Sequence, residues 1–135
     1  MYQSYHLSHK EAQMMINAIQ ADLEKDNKAA AVAVTDAHGE LIAFLRMDGC
    51  HLPPLYVAIN KAFTAARECN ESGNVGNNSR VGGFPMTNYG DLRYTGWAGG
   101  FPIYHDGQVI GAIGVSGLDE EQEARLGKLA LDLVK

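Results

Sequence analysis

Residues 30–47 read AAVAVTDAHGELIAFLRM, and this stretch decides the fold. Two apolar, partly β-branched runs, 30–35 and 40–47, flank Asp36-Ala37-His38-Gly39, whose Asp and Gly supply the backbone angles of a tight turn. The segment therefore predicts a hairpin at the heart of an antiparallel sheet. Upstream, residues 8–27 open with Ser8 and Glu11 at capping-box spacing. Ala12, Met15, Ile16, Ile19 and Leu23 then fall on one face at helical period. Downstream, Pro53-Pro54 suits only a helix start, and Leu55, Ile59, Ala62 and Ala66 make one stripe of a second helix over 54–69.

From residue 70 to 92 the composition turns to Gly and Asn, which predicts a long loop, functional or mobile in a domain of this size. Three short strands are expected next, over 92–98, 101–104 and 108–115, the last two joined by a turn at His105-Asp106-Gly107. A closing helix begins at Asp119, which has capping spacing to Gln122, and continues with Leu126, Leu129, Ala130 and Leu133 as its inner stripe. The order predicts an α+β fold with about five antiparallel strands and helices packed on the sheet.

At 135 residues the chain reads as a single domain over 1–135. With 46% hydrophobic and 20% charged residues it can build a core without disulfides, so Cys50 and Cys69 are expected to be free thiols. A formal charge of −5 and the lack of a basic run argue against nucleic-acid binding. No stretch approaches the roughly 20 apolar residues of a membrane span, and no signal-like start precedes the first helix, so a cytoplasmic protein without membrane contact is expected.

The run Gly111 to Gly117 lacks a phosphate-loop ending, and most of it reads as a strand whose missing side chains admit a helix or another backbone, with Ser116-Gly117 turning into the last helix. Of the five histidines, none has a metal-site spacing. His51, beside Cys50 at the entry to the second helix, is the first choice for an iron ligand if haem binds, although one His and one Cys fall short of a zinc site of about four ligands. The glutamates from Glu120 to Glu123 suit a helix start and read as capping and solubility. Arg46 ends the second strand, and Lys61 and Thr64 share a helix face. They either converge on an anionic or carbonyl-bearing ligand or stand as an Arg46–Asp48 surface pair and a Lys61 stem packed on the helix edge.

Three blocks, AVAVTDAHGELIAFLRMDG (31–49), NKAFTAA (60–66) and WAGGFPIYHDGQVIGAIGVSG (97–117), resemble the GlcG/HbpS-like haem-binding family, which also supplies the C-terminal domain of PduO-type adenosyltransferases. The resemblance implies a profilin-like or PAS-like α/β/α sandwich, homo-oligomers, and binding of a small molecule with haem as the best-known ligand. The family's recurring polar positions fall on Asp36, Arg46, Asp48, Lys61 and Thr64, and its turn and pocket glycines on Gly99, Gly100, Gly114 and Gly117. Relatives often carry several more residues between the V-S-G and the last helix, whereas here Gly117-Leu118-Asp119 enters it directly.

The resulting expectation is a non-catalytic, homo-oligomeric binding protein, accessory to a pathway such as glycolate, diol or glycerol utilisation. Arg46, Asp48, Lys61, Thr64, Trp97, Gly99 and Gly100 are its expected ligand-binding residues. Aromatic side chains of the central segment would stack on a flat ligand. Two other readings are a scaffold for a metabolic enzyme complex, and an enzyme with Arg46 holding a carboxylate and Lys61 as acid or base.

Overall fold

The computed structural model describes residues 1–134. Its elements are α1 (His9–Lys25), β1 (Ala31–Asp36), β2 (Leu41–Arg46), α2 (Pro54–Glu68), α3 (Ser72–Gly82), a short 3-10 turn (Met86–Tyr89), β3 (Gly100–His105), β4 (Gln108–Ser116) and α4 (Glu120–Leu131). Local chemistry sets most of their ends. The α1 capping box forms in full, with Ser8 Oγ accepting from Glu11 N and a Glu11 carboxylate oxygen accepting from Ser8 N. Asp36 Oδ1 accepts from His38 N and Glu40 N, closing the β1–β2 turn. Asp106 and Gly107 both take positive φ, the backbone of a two-residue hairpin turn.

The sheet is antiparallel throughout, in the order β2-β1-β4-β3, so the two hairpins meet where β1 pairs β4 from Ala31↔Ser116 to Asp36↔Gly111. Both faces are covered. On one face Val32, Val34, Ile113 and Val115 pack against the α1 and α4 stripes in the main core. On the other Ala31, Ala33 and Ala112 meet Ala58, Ala62, Ala65 and Ala66 of α2. This alanine layer follows from Gly114: a Cβ there would overlap the Ala58 carbonyl, so α2 lies against the strand backbone itself. Two covered faces also explain why β1 is apolar at nearly every position rather than alternating.

The structure corrects three expectations. The sheet has four strands, not about five, because residues 92–98 make no strand ladder. Their backbone groups are taken by side chains instead: Thr95 N donates to Thr64 Oγ1, and Trp97 O accepts from Ser72 Oγ. The stretch expected to be a loop over 70–92 contains the helix α3, whose Ser72, Val75, Gly76 and Ser79 are buried at helical spacing. Glycine in a helix costs about 1 kcal/mol relative to alanine. Here close docking offsets that cost, since a Cβ on Gly76 would overlap Gly96 backbone and one on Gly73 would lie 3.0 Å from the Ala98 Cβ. Leu133, expected in the α4 stripe, is exposed beyond the helix end.

Cys50 and Cys69 are both free. Among the described residues no helix is long and apolar enough to cross a membrane.

Candidate functional site: a buried lysine–glutamate pair beneath an exposed tryptophan

Lys61 lies on the sheet-facing side of α2, where its neighbours Ala58, Ala62 and Ala65 are fully buried, so its side chain can leave only along the sheet. Its Nζ donates to Val115 O at 3.0 Å and to Glu123 Oε1 at 3.1 Å. Glu123, in the first turn of α4, also accepts from Leu118 N through Oε2. Each residue is only 3% exposed. Burial pushes the Lys61 ammonium below its usual value and the Glu123 carboxyl above its own, and in each case the partner opposes the shift. The arrangement is that of a desolvated pair held by mutual charge and two backbone hydrogen bonds.

The pair requires the glycines that follow Trp97. Gly99 has φ +122, and a Cβ on it would lie 2.8 Å from Lys61 Nζ and 3.0 Å from Glu123 Oε1. Gly100 abuts the Lys61 carbonyl and donates its N–H to Ser72 Oγ. Ser72, fully buried, therefore holds Gly100 N and Trp97 O at once, while fully buried Thr64 holds Thr95 N. Segment 95–100 is clamped by two hydroxyls, yet its Trp97 side chain stands 66% exposed. Trp97 borders a depression of about 320 Å³ that has Lys61, Ser116, Leu118 and Glu123 among its other walls. It also borders a second, of about 290 Å³, lined by α3 residues and Glu120.

Among the residues singled out from sequence, the fold brings Lys61, Thr64, Trp97, Gly99 and Gly100 together. It does not bring Arg46 and Asp48 to them. Both are exposed and line a separate depression of about 490 Å³ between the end of β2 and α1, beside Gln20 and Glu24. The anticipated convergence of Arg46 with Lys61 is thus absent, and Lys61 is an ion-pair partner rather than a packed stem. Sequence reasoning missed Glu123, which was grouped with the solvated helix-start glutamates. The signal available was its i and i+3 relation to Leu126 and its i and i+7 relation to Ala130, which puts it on the buried stripe. It also missed Ser72 and Arg80, because α3 was not expected.

His51 is exposed on the segment leading into α2. Among the described residues no cluster of three or more His, Cys, Asp or Glu side chains is arranged to hold a metal ion. The two depressions beside Trp97 offer ammonium, guanidinium, carboxylate, amide and hydroxyl groups but no His, Cys or Met. They do not fit a haem pocket built on an axial side-chain ligand of the usual kind.

The architecture is an α+β domain with helices on both faces of a four-stranded antiparallel sheet and a charged pair buried at one end. The sequence model of the family described as "Haem degrading protein HbpS-like" matches residues 7–132, and the chain belongs to that family. It is 37% identical over 116 residues to protein GlcG of Escherichia coli K12, covering 82% of this chain and 81% of that protein. A double mutant of HbpS from Streptomyces reticuli superposes with a TM-score of 0.88 at 25% identity, over 100% of this chain and 91% of the other. The PduOC–haem complex has the same fold, with a TM-score of 0.87 at 22% identity over 97% of this chain and 96% of the other.

Proposed function

We propose that this chain is a single-domain, non-catalytic small-molecule-binding protein of the HbpS-like family. It acts in the cytoplasm as a homo-oligomer, accessory to a metabolic pathway such as glycolate, diol or glycerol utilisation. Its ligand is haem or a molecule of similar flatness, the class to which the description of the family and the haem complex of its structural neighbour point. The four-stranded sheet with helices on both faces is read as the profilin-like or PAS-like sandwich. One observation carries the proposal: a largely exposed indole on a clamped backbone, bordering two depressions. Scattered exposed apolar side chains are ordinary on a protein surface. A Trp on a fixed backbone at the wall of a concavity suits stacking on a flat ligand.

The pairing of Lys61 favours binding over catalysis. Its Nζ is committed to Val115 O and Glu123, so a role as acid or base would first require that buried pair to break.

The test is a haemin titration followed by absorbance, comparing the parent with Trp97→Ala, His51→Ala and His9→Ala. The expected result is a Soret shift that saturates at equal moles of haemin and chain and is weakened by Trp97→Ala. A weak, non-saturating change shared by all four proteins would overturn the proposal.

A further inference from the structure

Gly76 and Gly96 pack backbone against backbone. Neither position has room for a Cβ, so α3 and the strip carrying Trp97 are locked together as one surface. Both depressions beside the indole share Trp97, Ala98 and Glu120 as walls, and they therefore form the two halves of one groove running from the Lys61–Glu123 pair to α3. At the α3 end the groove is lined by Arg80. Arg67, Arg93 and Arg125 each form a salt bridge, whereas the side chain of Arg80, like that of Arg46, forms no salt bridge or hydrogen bond among the described residues.

We propose that this groove binds a flat aromatic carboxylate by shape and charge alone, with the Trp97 indole as the stacking wall and the Arg80 guanidinium as the anion-holding group. The inference rests on the small-molecule-binding reading above and narrows its ligand. A guanidinium presents paired N–H donors in the geometry of a carboxylate, and an unpaired one has them available. An indole face beside it supplies a flat apolar surface for a ring system. Glu120, of opposite charge, lines both halves, so Arg80, which lines the α3 half alone, sets where the ligand's carboxylate sits. The lining holds no His, Cys or Met to ligate haem iron, so a metal-free ring with carboxylates satisfies the site as well as haemin does.

Trp97 is the single tryptophan of the chain, so its emission reports from the groove itself. The experiment titrates the full chain with protoporphyrin IX and, separately, with haemin, following corrected tryptophan quenching. The parent is compared with Arg80→Ala, Arg80→Lys and Glu120→Gln. Arg80 is exposed, and far-UV circular dichroism checks that each variant keeps its fold. Both compounds should quench to saturation with midpoints within about threefold of each other. Losing a hydrogen-bonded charge should raise both midpoints roughly tenfold in Arg80→Ala and less in Arg80→Lys, while Glu120→Gln binds as tightly as the parent or tighter. Saturation by haemin but not by protoporphyrin IX would overturn this inference and leave the haem-binding reading standing. Saturation by both with Arg80→Ala unchanged would overturn the role of Arg80. Quenching by neither would overturn the inference and the reading beneath it together.

Discussion

Lys61 Nζ and Glu123 Oε1 lie 3.1 Å apart, joining α2 to α4 across 62 positions of sequence at a point where both side chains are almost wholly buried. The pair ties the helix on one face of the sheet to a helix of the other, around the end of β4, where the Val115 N–H donates to Gly99 O and the Val115 carbonyl accepts from Lys61 Nζ.

Breaking the pair from one side should be far more damaging than replacing it. Lys61→Met or Glu123→Gln each leaves a buried polar group without its partner and should cost about 3–5 kcal/mol, whereas Lys61→Met with Glu123→Leu should recover most of that loss. Urea unfolding of Lys61→Met, Glu123→Leu and the two combined measures it, with Glu123→Gln alongside. Strictly additive losses would show that the two side chains do not interact.

The two single variants should respond to pH in opposite directions. In Lys61→Met the remaining Glu123 carboxyl, already pushed up by burial, loses the cation that opposed the shift. A raised carboxyl gives stability that is complete below the unfolded value and is lost as pH rises through the folded one, so this variant should weaken toward neutral pH. In Glu123→Gln the remaining ammonium is held below its usual value, and its stability is lost as pH falls through that lowered value. Melting temperatures across a pH series distinguish the two, and parallel slopes would contradict the assignment.

Within α3, position should outweigh helix propensity. Gly76→Ala improves propensity by about 1 kcal/mol but drives a methyl into Gly96 backbone, and should be destabilising by roughly 1–3 kcal/mol overall. Asn78→Ala on the exposed side meets nothing and should stabilise by a few tenths of a kcal/mol. Thermal melts of the pair check this, and stabilisation by both would place α3 away from the Trp97 strip.

Asp22 of α1 and Arg125 of α4 form a two-bond ion pair on the surface. The guanidinium holds the Asp22 carboxyl below its usual value. A depressed carboxyl contributes stability above the unfolded value, which is lost as pH falls through the folded one. Asp22→Asn should therefore cost about 0.5 kcal/mol near neutral pH and nothing in acid, with the difference shrinking in high salt. Equal losses at pH 7 and pH 3 would show that the charge is not what matters.

Most of the architecture was legible in the sequence because the rules involved act over a few residues. Ser8 and Glu11, the Asp36 turn, Asp106-Gly107 and Asp119 with Gln122 each satisfy backbone groups three or four positions away, and the helix stripes repeat every three or four. The run Gly111 to Gly117 was read as a strand pressed by another backbone, and Gly114 meets Ala58 in that way. The middle of the chain was not legible, since Gly and Asn favour turns when considered alone.

What the sequence determined by itself was therefore the set of locally specified pieces: α1, α2, α4 and the two hairpins. Only the tertiary structure decided that residues 72–82 form a helix, because its glycines are repaid by a strip of backbone brought in from residues 96–98. Only the tertiary structure turned 92–98 away from the sheet, since its hydrogen-bond partners, Thr64 and Ser72, come from other elements. It also moved Glu123 from a solvated cluster to a buried partner of Lys61 and left Arg46 and Asp48 in a different depression. In each case the deciding contact joins residues that no local period or cap connects, so its energy exists only once the sheet has assembled.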